Sequence, residues 1–197
     1  MESADMEATG RRDRVTRCLA VAAVNRVSSV VPIFFGRLAG LSNTDRADGT
    51  QGVHLVWREL GGQPRADALR RQVRSTLPQL RGVAARSGMR GAAAVVSALD
   101  AISVLIEEPV DAPDHLRRSL AASLGVALDF DLLAVPAPAG RSSWLAHELH
   151  GQAELCELLP PSARDVPSAL VSELRMRSGE EAMNYRNAMK SVLAAGR

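Results

Sequence analysis

A chain of 197 residues can bury a core without disulfides or metals as staples, and it is short enough to be one domain. With 46% hydrophobic residues, 23% charged residues and a formal net charge of +2, it is not a disordered chain, and its charge alone does not make it a nucleic-acid binder. Aromatics make up only 3%, so the core has to come from Ala, Val and Leu.

Residues 1–10 are polar and aperiodic and read as a disordered tail, leaving 11–197 as the folded domain. From Val15 an apolar stripe runs through Leu19, Ala23, Val27, Val30 and Phe34, the spacing of one long helix. Pro32 either kinks it or starts a separate turn. Asn25, Arg26 and Pro32 break this stretch into runs that read as too short and too charged to span a bilayer. No cleavage pattern follows it, and the expected location is cytoplasmic, with no membrane contact. The stretch "GLSNTDRADGTQG" (40–52) reads as a loop by composition. Val53, Val56, Trp57 and Leu60 then form a helical face that stops at Gly61-Gly62.

An Arg-rich amphipathic helix follows over 65–81, along Leu69, Val73, Leu77 and Leu80, with Pro78 marking its frayed end. The basic run 65–90 holds a single acid, Asp67, and no aromatic residue to stack a base. It reads as a solvated helix face, with weak nucleic-acid binding as the alternative. Val95, Leu99, Ile102 and Ile106 mark an Ala-rich central helix over 89–108. Asp111 is placed to cap the next helix, whose stripe is Leu116, Leu120, Leu124 and Leu128 and which runs to about Leu133. "VPAPAGRSS" (135–143) and "LPPSARDVP" (159–167) are breaks, and the last helical region, 165–194, is divided at Ser178-Gly179. With no strand alternation, the expectation is an all-α, single-domain helical bundle of about seven helices.

Between those breaks lies "SSWLAHELHGQAELCELL" (142–159), whose histidines raise the question of a metal. Leu145, Leu149, Gln152, Cys156 and Leu159 repeat at four and three and form the expected core stripe. His147, His150 and Glu154 then fall within about 60° of one another on the opposite side, at about 100° per residue. They are the candidate metal ligands, but a helical bundle builds its metal sites inward and from several helices. The order His147-Glu148-Leu149-His150 is also one residue short of the metalloprotease motif. No metal or other cofactor is expected. Glu148 leans toward the core.

Asp100 stands in the most apolar helix, near Ser97, Ser103 and Glu107 by helical spacing, and a carboxylate there requires an arginine or hydroxyl partner. A buried Asp–Arg pair is the structural reading. Asp100, Glu107 and Glu148 as acids of a pocket between helices is the catalytic one. Trp57 and Trp144 sit beside apolar stripes and read as core. Cys18 and Cys156 lack metal or redox spacing and read as small buried hydrophobes.

Several segments together resemble a known family. "RVTRCLAVAAVNRV…FFGRLAG" followed by "VHLVWREL", "ALDAISVLIE" with Asp100 and Ala101, "HELHGQAELCELL" with Glu148, Gln152 and Glu154, and "ELRMRSGEEAMNYRNAM" with Gly179, Glu180 and Asn184 resemble the YjaG-like family. These are small all-helical bacterial proteins of unknown function, and the resemblance spans about residues 12–188. It implies a helical bundle and a homodimer, and no activity. The expected function is therefore a non-enzymatic partner-binding or regulatory protein, of which an immunity-type protein is one form. Its partner is another protein or a second copy. A metal- or carboxylate-dependent enzyme is the alternative.

Overall fold

The computed structural model describes the backbone of residues 2–38, 43–107, 112–163 and 165–196, and the side chains of 13–38, 49–107, 113–163 and 165–196. The helices are α1 (Glu2–Ser28), α2 (Val30–Phe35), α3 (Asn43–Leu60), α4 (Asp67–Arg86), α5 (Ala92–Ile106), α6 (Ala112–Leu132), α7 (Trp144–Leu158) and α8 (Ser168–Ala195). With no strand among the described residues, this is an all-α helical bundle. The first helix, α1, starts at Glu2.

The centre of the bundle is α1, which packs against α3, α5, α6, α7 and α8. Every residue from Cys18 to Val24 is fully or almost fully buried, because this helix is apolar all round and has to be enclosed. In length and composition, Asp13–Phe35 does suffice to cross a membrane, contrary to the sequence expectation. In the fold it is the second half of α1 followed by α2, with 78% of its apolar window buried in the core. The break before α2 falls at Ser29, three residues ahead of Pro32. The Ser29 hydroxyl lies within hydrogen-bonding distance of the carbonyls of Arg26 (3.0 Å) and Ala182 (2.9 Å), which ties the break to α8.

The expected loop at 40–52 is helical from Asn43 onward. Its glycines mark close approach, not a turn. A Cβ on Gly52 would stand 2.8 Å from Ile106 Cγ2 and 2.9 Å from Ile102 Cγ2, and one on Gly49 2.7 Å from Val31 Cγ1. Both glycines let α3 lie close on its neighbours. The expected face Val53, Val56, Trp57 and Leu60 is buried, as are Val95, Leu99, Ile102 and Ile106 on α5. Trp144 is buried too, so both tryptophans belong to the core.

Pro78 does not end α4, which continues two turns further to Arg86. Leu80 and Ala84 prolong the buried stripe of Arg70, Val73 and Leu77, and that packing offsets the backbone hydrogen bond proline cannot make. Nor does Ser178-Gly179 divide α8. Ser178 is buried and accepts a hydrogen bond from Asn25 Nδ2 at 2.9 Å. Asp111, the expected cap, lies outside the described residues.

The leucine stripe of α6 is out of phase with its buried face. His115, Ser119, Ser123, Val126, Ala127 and Phe130 point inward, while Leu116, Leu120 and Leu124 are half-buried and Leu128 is exposed. Small residues let α6 sit close against α1, and the leucines move to its flank. The N-terminus of α7 is then fixed to the end of α6: Asp131 accepts from Trp144 N (2.7 Å) and Leu145 N (3.0 Å), and Ser143 Oγ accepts from Ala146 N (3.0 Å).

Candidate functional site

Arg26 lies within the most buried helix, and its neighbours at helical spacing are Ala22, Ala23, Ser29 and Val30. Its charge has to be met from another helix. Glu148 of α7 meets it: Arg26 Nη2 donates to Glu148 Oε1 at 2.6 Å, with both side chains almost fully buried. Tyr185 of α8 donates its hydroxyl to Glu148 Oε2 at 2.7 Å. Gln152 Nε2 reaches Glu148 Oε1 and the Leu120 carbonyl, each at 3.0 Å. Burial, with the charge and hydrogen bond of Glu148, pushes the Tyr185 phenol well above its usual 10, so it remains a donor.

Around this network Phe130, Trp144, His147 and Tyr185 stack, with Trp144–Tyr185 centroids 5.0 Å apart and Phe130–Trp144 5.1 Å. Three of the chain's six Phe, Trp and Tyr residues gather here. The His147 ring packs edge-on to Trp144 and places Nε2 3.0 Å from Glu181 Oε2. That hydrogen bond holds the Glu181 carboxyl below its usual range.

The buried face of α7 is therefore Trp144, His147, Glu148, Gly151, Gln152 and Leu155, about a quarter turn from the expected leucine stripe. His147 is 9% exposed and Leu149 51%, the reverse of the sequence reading. Two stripes compete on this helix. The one that serves Arg26 and buries Trp144 wins. His147, His150 and Glu154 consequently part: His147 turns inward to Glu181, while His150 pairs with Glu154 at the surface at 3.1 Å. Among the described residues, no group of three His, Cys, Asp or Glu side chains could hold a metal ion.

The three candidate acids take three different arginines. Asp100 pairs with Arg81 at 2.7 Å, Glu107 with Arg118 at 2.9 Å, and Glu148 with Arg26. The Asp–Arg pair expected of Asp100 exists, but on the surface, where the Asp100 side chain is 47% exposed. Ser97, expected beside it, donates instead to Asp129 at 2.7 Å. The cavity bordering Arg26 and Gly151 measures about 30 Å³, the volume of one water, and is too small to admit a substrate to Glu148.

The basic run 65–90 is not simply a solvated face. Arg70 grips both oxygens of Glu59 (2.9 and 2.6 Å) and donates to the Ile106 carbonyl at 3.0 Å. Arg74 donates to the same carbonyl at 2.7 Å, and Arg90 to that of Leu133 at 3.0 Å. These guanidiniums satisfy carbonyls at the ends of α5 and α6. Arg17 joins Arg70 on Glu59, and Arg14 donates to the Leu60 carbonyl at 3.2 Å. Burial works to raise the Glu59 pKa, but the hydrogen bonds and charges of Arg70 and Arg17 prevail and hold it below the usual 4.5. Sequence reasoning missed Arg26, Tyr185, Glu59 and Arg70. For Arg26 the available signal was a charged residue inside an apolar stripe with no opposite charge at helical spacing.

Cys18 is fully buried, and desolvation raises its thiol to about 11 despite Arg14 and Arg17. Cys156 is half-buried, and both are free thiols.

No family model, curated protein or solved structure matches this chain.

Proposed function

We propose that this is a non-enzymatic cytoplasmic protein that works by docking a protein partner, in a regulatory or immunity-type role, through the outer seam of α6 and α7. The observation that carries this reading is a set of large apolar side chains left in water beside that seam. Leu128 is 48% exposed, Leu132 76% and Leu149 51%. Gln152 to the Leu120 carbonyl and Leu145 N to Asp131 tie the two helices together on this side. Leu128 and Leu132 stand one turn apart on α6, and Leu149 is on the neighbouring α7. Grouped exposed leucines cost solubility in a monomer and supply the apolar centre of an interface.

The test is sedimentation velocity of the wild type and of a Leu128→Asp, Leu132→Asp, Leu149→Asp variant, with co-purification of both from the native host. A self-association or a co-purifying protein that the variant loses supports the reading. A wild type that is monomeric and co-purifies with the same proteins as the variant overturns it.

A further inference from the structure

A second polar cavity, of about 270 Å³, lies among α1, the start of α4, the end of α5 and the start of α6. Asp13, Arg17, Arg65, Arg70, Glu107 and His115 line it. Its floor is rigid, because Arg70 is held by both Glu59 oxygens and by the Ile106 carbonyl. Arg17 gives one nitrogen to Glu59, and among the described residues no other hydrogen bond takes up the rest of its donor fork. His115 is only 4% exposed, and its ring makes no hydrogen bond to any described residue. An imidazole and a guanidinium thus face one polar cavity, and together they form a donor set suited to an anion.

The acids nearby are mostly committed. Glu59 serves Arg17 and Arg70, Glu107 serves Arg118, and Asp67 serves Arg65. Asp13 remains on the lining. A volume of about 270 Å³ suits a compact metabolite.

We infer that this cavity binds a small oxyanionic molecule carrying a hydrogen-bond donor, with Arg17 and His115 gripping the anion and Asp13 facing the donor. The oxyanion is a carboxylate or a phosphate. The cavity takes its α6 residue, His115, from the opposite end of that helix to Leu128 and Leu132, so ligand binding and partner docking are tested separately.

Without ligand, burial holds the His115 pKa below its usual 6.5; Glu107 opposes this, and Arg118, Arg17 and Arg70 reinforce it. An anion seated beside the ring favours its charged form and moves its titration upward.

The experiment follows the ring signals of His54, His115, His147 and His150 by NMR. The probes are inorganic phosphate and malate, with sodium chloride at matched ionic strength as control. We expect saturable movement of the His115 signals alone, with a raised titration midpoint, for at least one probe. Which probe binds tells phosphate from carboxylate. Arg17→Gln should weaken binding about tenfold or more. Should that variant not fold, His115→Gln, read by the melting shift with the same probe, carries the same expectation. No saturable response up to about 10 mM of either probe overturns the inference. So does an equal response to chloride, or undiminished binding by a folded variant.

Discussion

Gly151 and Arg26 share one space: a Cβ on the glycine would overlap the arginine guanidinium. The missing side chain on α7 is what lets a charged group from α1 pass through to Glu148. Gly151→Ala should therefore destabilise by about 2–4 kcal/mol, from overpacking plus a damaged ion pair, well beyond any gain in helix propensity. Gly179→Ala is the matched control. It sits inside α8 with nothing within 4 Å of a new Cβ, and should stabilise by about 0.4–1 kcal/mol. Urea unfolding of the two variants reads both signs, and a Gly151→Ala protein as stable as wild type would remove the steric account.

Glu148→Gln should cost about 3–5 kcal/mol, because Arg26 remains buried without a counter-charge. Replacing both partners, as Arg26→Met with Glu148→Gln, should recover much of that loss. Tyr185→Phe removes one hydrogen bond to a charged group and should cost about 1.5–3 kcal/mol. A double-mutant cycle measures the coupling, and additive single losses would mean that the network acts as separate contacts.

Gly52→Ala places a methyl group against Ile102 and Ile106 and should cost about 1–3 kcal/mol. Ile106→Leu in the same chain removes the Cγ2 branch that the new methyl would meet and should return part of it. A thermal melt in which the second substitution only adds damage would argue against a tight α3–α5 crossing.

Stability should fall with acid partly through Glu59. Unfolded, this carboxyl titrates near 4.5; folded, Arg70 and Arg17 hold it lower. The folded state thus prefers the ionised form, and the contribution is complete above about 4.5 and fades as pH falls through the lowered folded value. Glu181, lowered by His147, acts in the same direction. The gap in urea midpoint between wild type and Glu59→Gln should be widest near neutral pH and close as the pH falls through the lowered folded value. A gap independent of pH would exclude this linkage.

Much of the bundle was legible where one apolar stripe stood alone. The α5 stripe and the Val53–Leu60 face follow from spacing, because no second pattern competes on those helices. Reading failed where composition stood in for packing. Gly49 and Gly52 looked like loop residues, yet a helix that must approach others closely needs the same absence of side chain. It failed again on α6 and α7, where leucines offered one phase, while Ser119, Ser123, Glu148 and Gly151 occupied the other. Glu148 was legible as leaning inward, but its partner was not, since Arg26 stands 122 positions earlier. Pairing across such a separation leaves no local trace. The cavity around His115 was invisible for the same reason: its residues come from four helices.

That separation has a consequence for how the protein is made. The central helix leaves the ribosome before α7 and α8, carrying its long apolar surface and an arginine whose counter-charge has not yet been synthesised. Until α7 and α8 emerge, neither the surface nor the charge can be enclosed. The nascent chain therefore presents a membrane-like segment with an unmatched cation in it, and its fate in the cell depends on what shields that segment during translation.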